Sequence, residues 1–248
     1  MKLAIVIKTF DRSPKRNYRR ETLANLDRSG IWQSRAPWRL AIVNGQESPT
    51  FIQGQLTDHF RADPGAVAIH ESGGQHFTPN GNAARSWLIA HQLATTVCAD
   101  WCLVLEDDID VCADFLDVTA EWLATYQTRD RHVYPLGCRL EKEMRTAREQ
   151  GLDACDYRRD LFWGAQAVAL RPADALSLAT YLTAHPQWCG TTQSHDYLIN
   201  DWAKERWPEV HHYLTPVPSL VQHIGRESTL AYPGRLEFFE FPYWRGRE

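Results

Sequence analysis

The chain has 248 residues, 44% hydrophobic and 23% charged, with a formal net charge of −4. That length buries a sizeable core in one large domain, or at most two small ones. The mild acidity excludes wholesale electrostatic binding to nucleic acid or an anionic membrane, leaving only local basic patches such as "KRNYRR" at 15–20.

The opening "MKLAIVIKTF" is too short for the apolar region and cleavage site of a signal peptide. No apolar run approaches the ~18 residues that a membrane helix needs. A cytoplasmic location without a membrane segment is therefore expected. The six cysteines, Cys98, Cys102, Cys112, Cys138, Cys155 and Cys189, form no CxxC pair and read as free thiols.

Taken in order, "LAIVIKTF" (3–10) is a near-continuous apolar run, the pattern of a strand covered on both faces. It breaks at "DRSP", and "KRNYRRETLANLDRSG" predicts a helix ending at Gly30. "WRLAIVNG" predicts a second buried strand and "AVAIHES" a short third one, before a glycine-containing loop, "SGGQHFTPNGN". "AARSWLIAHQLATTV" has helical spacing, and "WCLVL" is a fourth strand. Strands alternating with helices at this spacing predict an α/β fold: a mostly parallel central sheet with helices on both faces. In such sheets ligands bind outside the carboxyl ends of the strands, so the "DRSP" turn, the "NGQES" turn and the acidic block after "WCLVL" are expected to line one crevice.

The second half is less regular. "CADFLDVTAEWLATYQ" is an amphipathic helix, "HVYPLG" a short strand, and "LEKEMRTAREQG" a polar helix or loop. "LFWGAQAVALRP" predicts one strand, and Pro172 opens the helix "ADALSLATYLTAH" from a favoured first-turn position. "SHDYLINDWAKERW" predicts another helix, and "YLTPVPSLVQHIG" an extended, proline-broken segment. No repeat or low-complexity linker divides the chain. The expectation is a single domain over 1–248, with a nucleotide-sugar half (1–110) and an acceptor half (111–248).

The chemistry concentrates in "WCLVLEDDIDVCADFLD". Glu106, Asp107 and Asp108 end a buried strand with three like charges, which repel and resist desolvation unless a positive partner is present. Hard carboxylate oxygens in a crevice suit Mg²⁺ or Mn²⁺, ions that keep water ligands and bridge to phosphate. The competing reading is an acidic, solvated loop.

The block resembles the metal-binding acidic motif of the GT-A glycosyltransferases, in the EDD form of the N-acetylglucosaminyltransferase I group. "IKTFDRSPKRNYRR", "FWGAQAVALRP" and "PSLVQHIGRES" resemble further pieces of that pattern in the same order, so the resemblance spans nearly the whole chain. It implies a metal-dependent enzyme, using Mn²⁺ or Mg²⁺, that moves a sugar from a nucleotide-sugar donor, a UDP-sugar in first place, to a hydroxyl acceptor. Asp108 would bind the metal directly, with His223 approaching the metal or diphosphate from the C-terminal segment. Glu106 and Asp107 would contact the ribose, the sugar or the metal's waters. Thr9, Asp11 and Arg12 would lie at the base and phosphates. Asn80, Gly81, Asn82 and Arg85 would face the diphosphate at a helix start, where free N–H groups, the helix dipole and a guanidinium favour anions. One departure stands out: the chain has "NGQES" where these enzymes often place an Asp to read uracil, leaving Asn44 or Gln46 for the base edge.

An inverting enzyme needs a base for the acceptor hydroxyl. Asp196 follows the sugar-lining strand where this group carries its base, with Asp201 as the alternative. Asp196 reads equally as a carboxylate stabilised by a helix N-terminus. His223 is either a ligand or a hydrogen-bonded structural residue, and His195 orients an acceptor or caps its helix. Trp163, Trp188 and Trp202 are candidates for stacking on a sugar or base, or for core. The acceptor is open: a glycan, a protein, a small molecule, or a hydroxymethylated base in bacteriophage DNA. For that last acceptor, "KRNYRR", "RLEKEMRTAREQ" and the "YWRGR" tail would supply a basic face. Readings of other classes are a nucleotidyltransferase, whose Gly- and Lys-containing signature after the first strand is missing from "KTFDRSP", and a non-catalytic nucleotide-sugar binder.

Overall fold

The computed structural model describes residues 1–9, 18–45, 52, 54–62, 67–71, 79–127, 132–162, 164–185, 195–225, 241 and 243–246. A six-stranded sheet organises them. Its parallel part is β1 (Leu3–Thr9), β2 (Trp38–Asn44), β3 (Val67–Glu71) and β4 (Trp101–Glu106), running 3-2-1-4 across the sheet. Beyond β4 lie β8 (Ala167–Leu170), antiparallel to it, and the two-residue β6 (Tyr134–Pro135).

Period-two alternation sorts each strand between two cores. In β1, Leu3, Ile5 and Ile7 enter one core with Leu103 and Leu105 of β4, against α1 (Arg19–Arg28) and α4 (Phe115–Tyr126). Ala4 and Val6 enter the other, with Cys102 and Val104, against α3 (Pro79–Val97), α6 (Pro172–Ala184) and α7 (His195–Arg206). Helices cover both faces, as the unbroken apolar runs require. Ile5 and Ile7 are fully buried, so truncating either to Ala removes about 2–5 kcal/mol.

The alternation has a consequence at the sheet's carboxyl end. Lys8 shares the face of Ala4 and Val6, and Glu106 shares that of Cys102 and Val104, so the next positions outward on this face are both charged. In register Lys8 sits directly beside Glu106. Two charged residues thus replace apolar ones where the core gives way to the crevice.

Elsewhere the structure corrects the sequence reading. "LFWGAQAVALRP" is not one strand: Arg159–Leu161 forms a 3₁₀ turn, Gly164 turns through φ +103°, and only Ala167–Leu170 pairs. "YLTPVPSLVQHIG" is extended and broken at its prolines, as expected, into β9 (His212–Pro216) and β10 (Val221–His223), which join different partners. Neither partner was foreseen: β7 (Ala154–Arg158) pairs with β9, and the three-residue β5 (Ile109–Val111) pairs with β10. The helices α2 (Asp58–Ala62) and α5 (Glu141–Glu149) and a 3₁₀ turn at Ile31–Gln33 complete the described elements, and "LEKEMRTAREQG" forms a helix. The described cysteines are free, and no helix among the described residues is long and apolar enough to cross a membrane.

Candidate active site

Two side-chain clusters form where β4 ends. The first depends on the short β5–β10 ladder. Beyond Glu106 the chain turns through Asp107 and Asp108, both buried, into β5. Its antiparallel partner places His223 opposite Ile109, and the Ile224 N–H donates to the Asp108 carbonyl at 2.8 Å. Residues 115 positions apart therefore meet: His223 Nε2 lies 3.2 Å from Asp108 Oδ2, and both side chains are buried. Gly225 forms the floor of this cluster, because a Cβ there would overlap Asp108 Oδ2 and His223 Nε2. On the inner side β5 is held by α1, where Thr22 Oγ1 donates to the Ile109 carbonyl at 2.9 Å and accepts the Ile109 N–H at 3.1 Å.

The second cluster joins β1, β4 and the start of α7. Lys8 Nζ donates to Glu106 Oε1 at 2.8 Å and approaches His195 Nδ1 at 3.4 Å. The first carboxylate of the acidic block thus has its counter-charge within the protein. Next to His195, Asp196 accepts the Ala165 N–H at 2.7 Å. Gly164 supplies a second backbone hydrogen bond, which its positive φ permits and any side chain there would obstruct through Gln166. Burial, reinforced by the Glu106 carboxylate, pushes the Asp196 carboxyl up to about 6, against the pull of the two N–H donors and Lys8. Burial and then the Lys8 ammonium push His195 well below its ordinary value.

At the ends of β1 and β2, Thr9 and Asn44 stand in register. Asn82 Nδ2 donates to the Thr9 carbonyl at 2.7 Å, which also accepts the Gly45 N–H at 3.2 Å, while the Thr9 hydroxyl donates to Val43. Asn80 and Gly81 lie in the first turn of α3. Arg85, one turn beyond Asn82, is near enough to His70 on β3 to help lower its pKa, second to burial. Asp11, Arg12, Gln46, Trp163 and Trp188 lie outside the described residues. Trp202 is core, its indole N–H bonded to Ser177, and Asp201 is exposed on α7.

The sequence reading assigned no role to Lys8 or to the Gly164–Ala165 backbone. Lys8 had a signal, a lone lysine inside an otherwise buried strand. The backbone donors had none beyond the glycine itself.

No family model and no curated protein sequence matches the chain. Solved structures do resemble it. GalNAc-T7, determined with UDP, GalNAc and Mn²⁺, aligns with a TM-score of 0.57 at 12% identity, over 94% of this chain and 46% of its own. A mannosyltransferase from Pyrobaculum calidifontis, determined with GDP-Man and Mn²⁺, aligns with a TM-score of 0.50 at 12% identity, over 87% and 54%. The chain spans about half the length of each of these proteins. The likeness establishes the fold: the sheet and its helices have the GT-A arrangement.

Proposed function

We propose that this chain transfers a sugar from a nucleotide-sugar donor, a UDP-sugar in first place, to a hydroxyl acceptor, with inversion and with Asp196 as general base. The observation that carries this reading is the arrangement at the end of β4. There an Asp108–His223 pair and a separate carboxyl, Asp196, which neighbours the Lys8–Glu106 pair, lie at the carboxyl end of the sheet, where open α/β sheets bind ligands.

The Asp108–His223 pair fits a divalent cation. Oδ2 and Nε2 lie 3.2 Å apart, against a glycine whose lack of a side chain lets both atoms approach its backbone. A carboxylate oxygen combined with an imidazole nitrogen favours Mn²⁺ over Mg²⁺, which prefers oxygen alone. When bound, such an ion would neutralise charge on the departing diphosphate. Both solved structures of like fold hold Mn²⁺ with a nucleotide or nucleotide sugar, which supports the reading.

Asp196 suits the other half of the reaction. As the acceptor oxygen bonds to the anomeric carbon, its proton passes to the Asp196 carboxylate. A carboxyl raised to about 6 is still ionised at pH 7.5 yet more basic than an ordinary aspartate. The Ala165 N–H fixes its orientation. Arg85 and the first turn of α3 supply positive potential for the diphosphate.

A thermal-shift screen of UDP-, GDP-, CMP- and dTDP-sugars, with and without Mn²⁺, tests this. A UDP-sugar is expected to raise the unfolding midpoint only with the metal present. Equal shifts without a divalent ion, or no shift from any donor with it, contradict the reading.

A further inference from the structure

His195 has a feature that the proposed chemistry leaves unused. The Lys8 ammonium carries only donors, so the His195 Nδ1 that it approaches at 3.4 Å must present its lone pair. The ring proton then resides on Nε2. That atom is buried and meets no acceptor among the described residues. A buried N–H without a partner is a standing penalty, and a bound ligand that supplies an acceptor removes it.

The surroundings say what sort of ligand. The Lys8 ammonium stands at the ring, Glu106 is paired with it and Asp196 follows in sequence, and the Lys8–Glu106 pair ties His195 to the carboxyl ends of β1 and β4. A phosphate would call for a cation here, but Lys8 is already paired with Glu106 and its second contact is to His195. A neutral N–H matches a neutral oxygen, that of a hydroxyl.

We propose that Lys8 holds His195 in the tautomer with its proton on Nε2, and that this N–H donates to a ring hydroxyl of the transferred sugar. The sugar contact rests on the nucleotide-sugar reading above; the tautomer does not. His195 is thereby a donor-sugar contact, and Lys8 a positioning residue that acts through it. Keeping the ring uncharged also keeps an extra cation away from an anomeric carbon that becomes electron-poor as its bond to the diphosphate breaks. Burial and Lys8 both disfavour the imidazolium, in agreement with this role.

The test has two arms. In the first, ¹⁵N NMR of histidine-labelled protein, with the ring assigned by its loss in His195→Gln, reads the tautomer at pH 7 without ligand. The Nε2–H form is expected in the wild type, and a mixture of tautomers or a charged ring in Lys8→Met. A ring protonated on Nδ1, or an imidazolium in the wild type, overturns the inference. In the second arm, calorimetry with Mn²⁺ compares bare UDP with UDP-Glc, UDP-Gal, UDP-GlcNAc and UDP-GalNAc. The ratio of the tightest sugar nucleotide's affinity to that of UDP is expected to fall about tenfold in His195→Phe and to recover in His195→Gln, with UDP affinity unchanged. An unchanged ratio in His195→Phe overturns this inference alone. A wild type that binds neither UDP nor any of its sugars overturns the donor reading and the sugar contact together, and leaves the tautomer to the first arm.

Discussion

The two clusters at the end of β4 start from the same acidic run and resolve its charge in opposite ways. Glu106 faces a lysine on the neighbouring strand, in register, and the pair is complete at 2.8 Å. Asp108, two residues on, faces a histidine 3.2 Å away, packed so closely over Gly225 that a Cβ there would overlap both side chains. A block of like charge in sequence is therefore not one functional unit. The strand alternation directs Glu106 to the α7 side of the sheet, while the turn into β5 presents Asp108 to the returning C-terminal segment. Glu106 is paired with a lysine and Asp108 with an imidazole packed on a glycine, and only the second pair offers the donor set that the proposed ion needs.

That contrast predicts different failures. The largest is at Asp196, the proposed base on the Lys8–Glu106 side: Asp196→Asn should lower kcat by about 10²–10⁴-fold while donor affinity stays within about twofold, in steady-state transfer assays and calorimetry. The same substitution should raise stability. A carboxyl whose folded pKa of about 6 exceeds its ordinary 3.8 favours the fold when protonated, and that contribution is lost as pH rises through about 6. Denaturant titration should find Asp196→Asn more stable than wild type by about 1–2 kcal/mol at pH 8, with the gap closing near pH 4. Correspondingly, kcat/KM should fall as pH drops through about 6, and that limb should vanish in the variant.

On the other side, Gly225→Ala should weaken Mn²⁺-dependent donor binding by about 10–100-fold, because its methyl group enters the Asp108–His223 space. Equal weakening of metal-free UDP binding would blur the distinction between the clusters. The smallest effect is expected at Thr22→Val, which leaves the buried Ile109 N–H without its acceptor. A loss of about 1–3 kcal/mol in stability should follow, with transfer in the folded fraction retained.

Legibility in the sequence followed the same division. The parallel strands could be read because burial on both faces leaves an apolar signature in Leu3–Ile7, Leu40–Val43 and Trp101–Leu105. The first-turn Pro172 announced its helix, and the order of motifs placed the acidic block at a strand end. What escaped was set by pairing rather than by local pattern. Ile109–Val111 is too short to show a period, and Ala154–Arg158 exists as a strand only because His212–Pro216 lies beside it. Lys8 escaped because a reading that counts apolar residues treats a lysine in a strand as noise, whereas its register with Glu106 gives it a role. The N–H groups of Gly164 and Ala165 have no side-chain signature at all. Asp196 and His223 were named through a resemblance to known motifs; the physical reasons for their placement, a backbone cradle and a three-residue ladder, emerged only in three dimensions.

The central claim is that Asp108 and His223 together hold a divalent ion against a nucleotide's phosphates. Calorimetric titration of Mn²⁺ into protein saturated with UDP tests it most directly, in wild type, Asp108→Ala and His223→Ala. One ion per chain is expected in the wild type, lost in Asp108→Ala and weakened about 10–100-fold in His223→Ala. Undiminished one-to-one binding in Asp108→Ala would contradict the account.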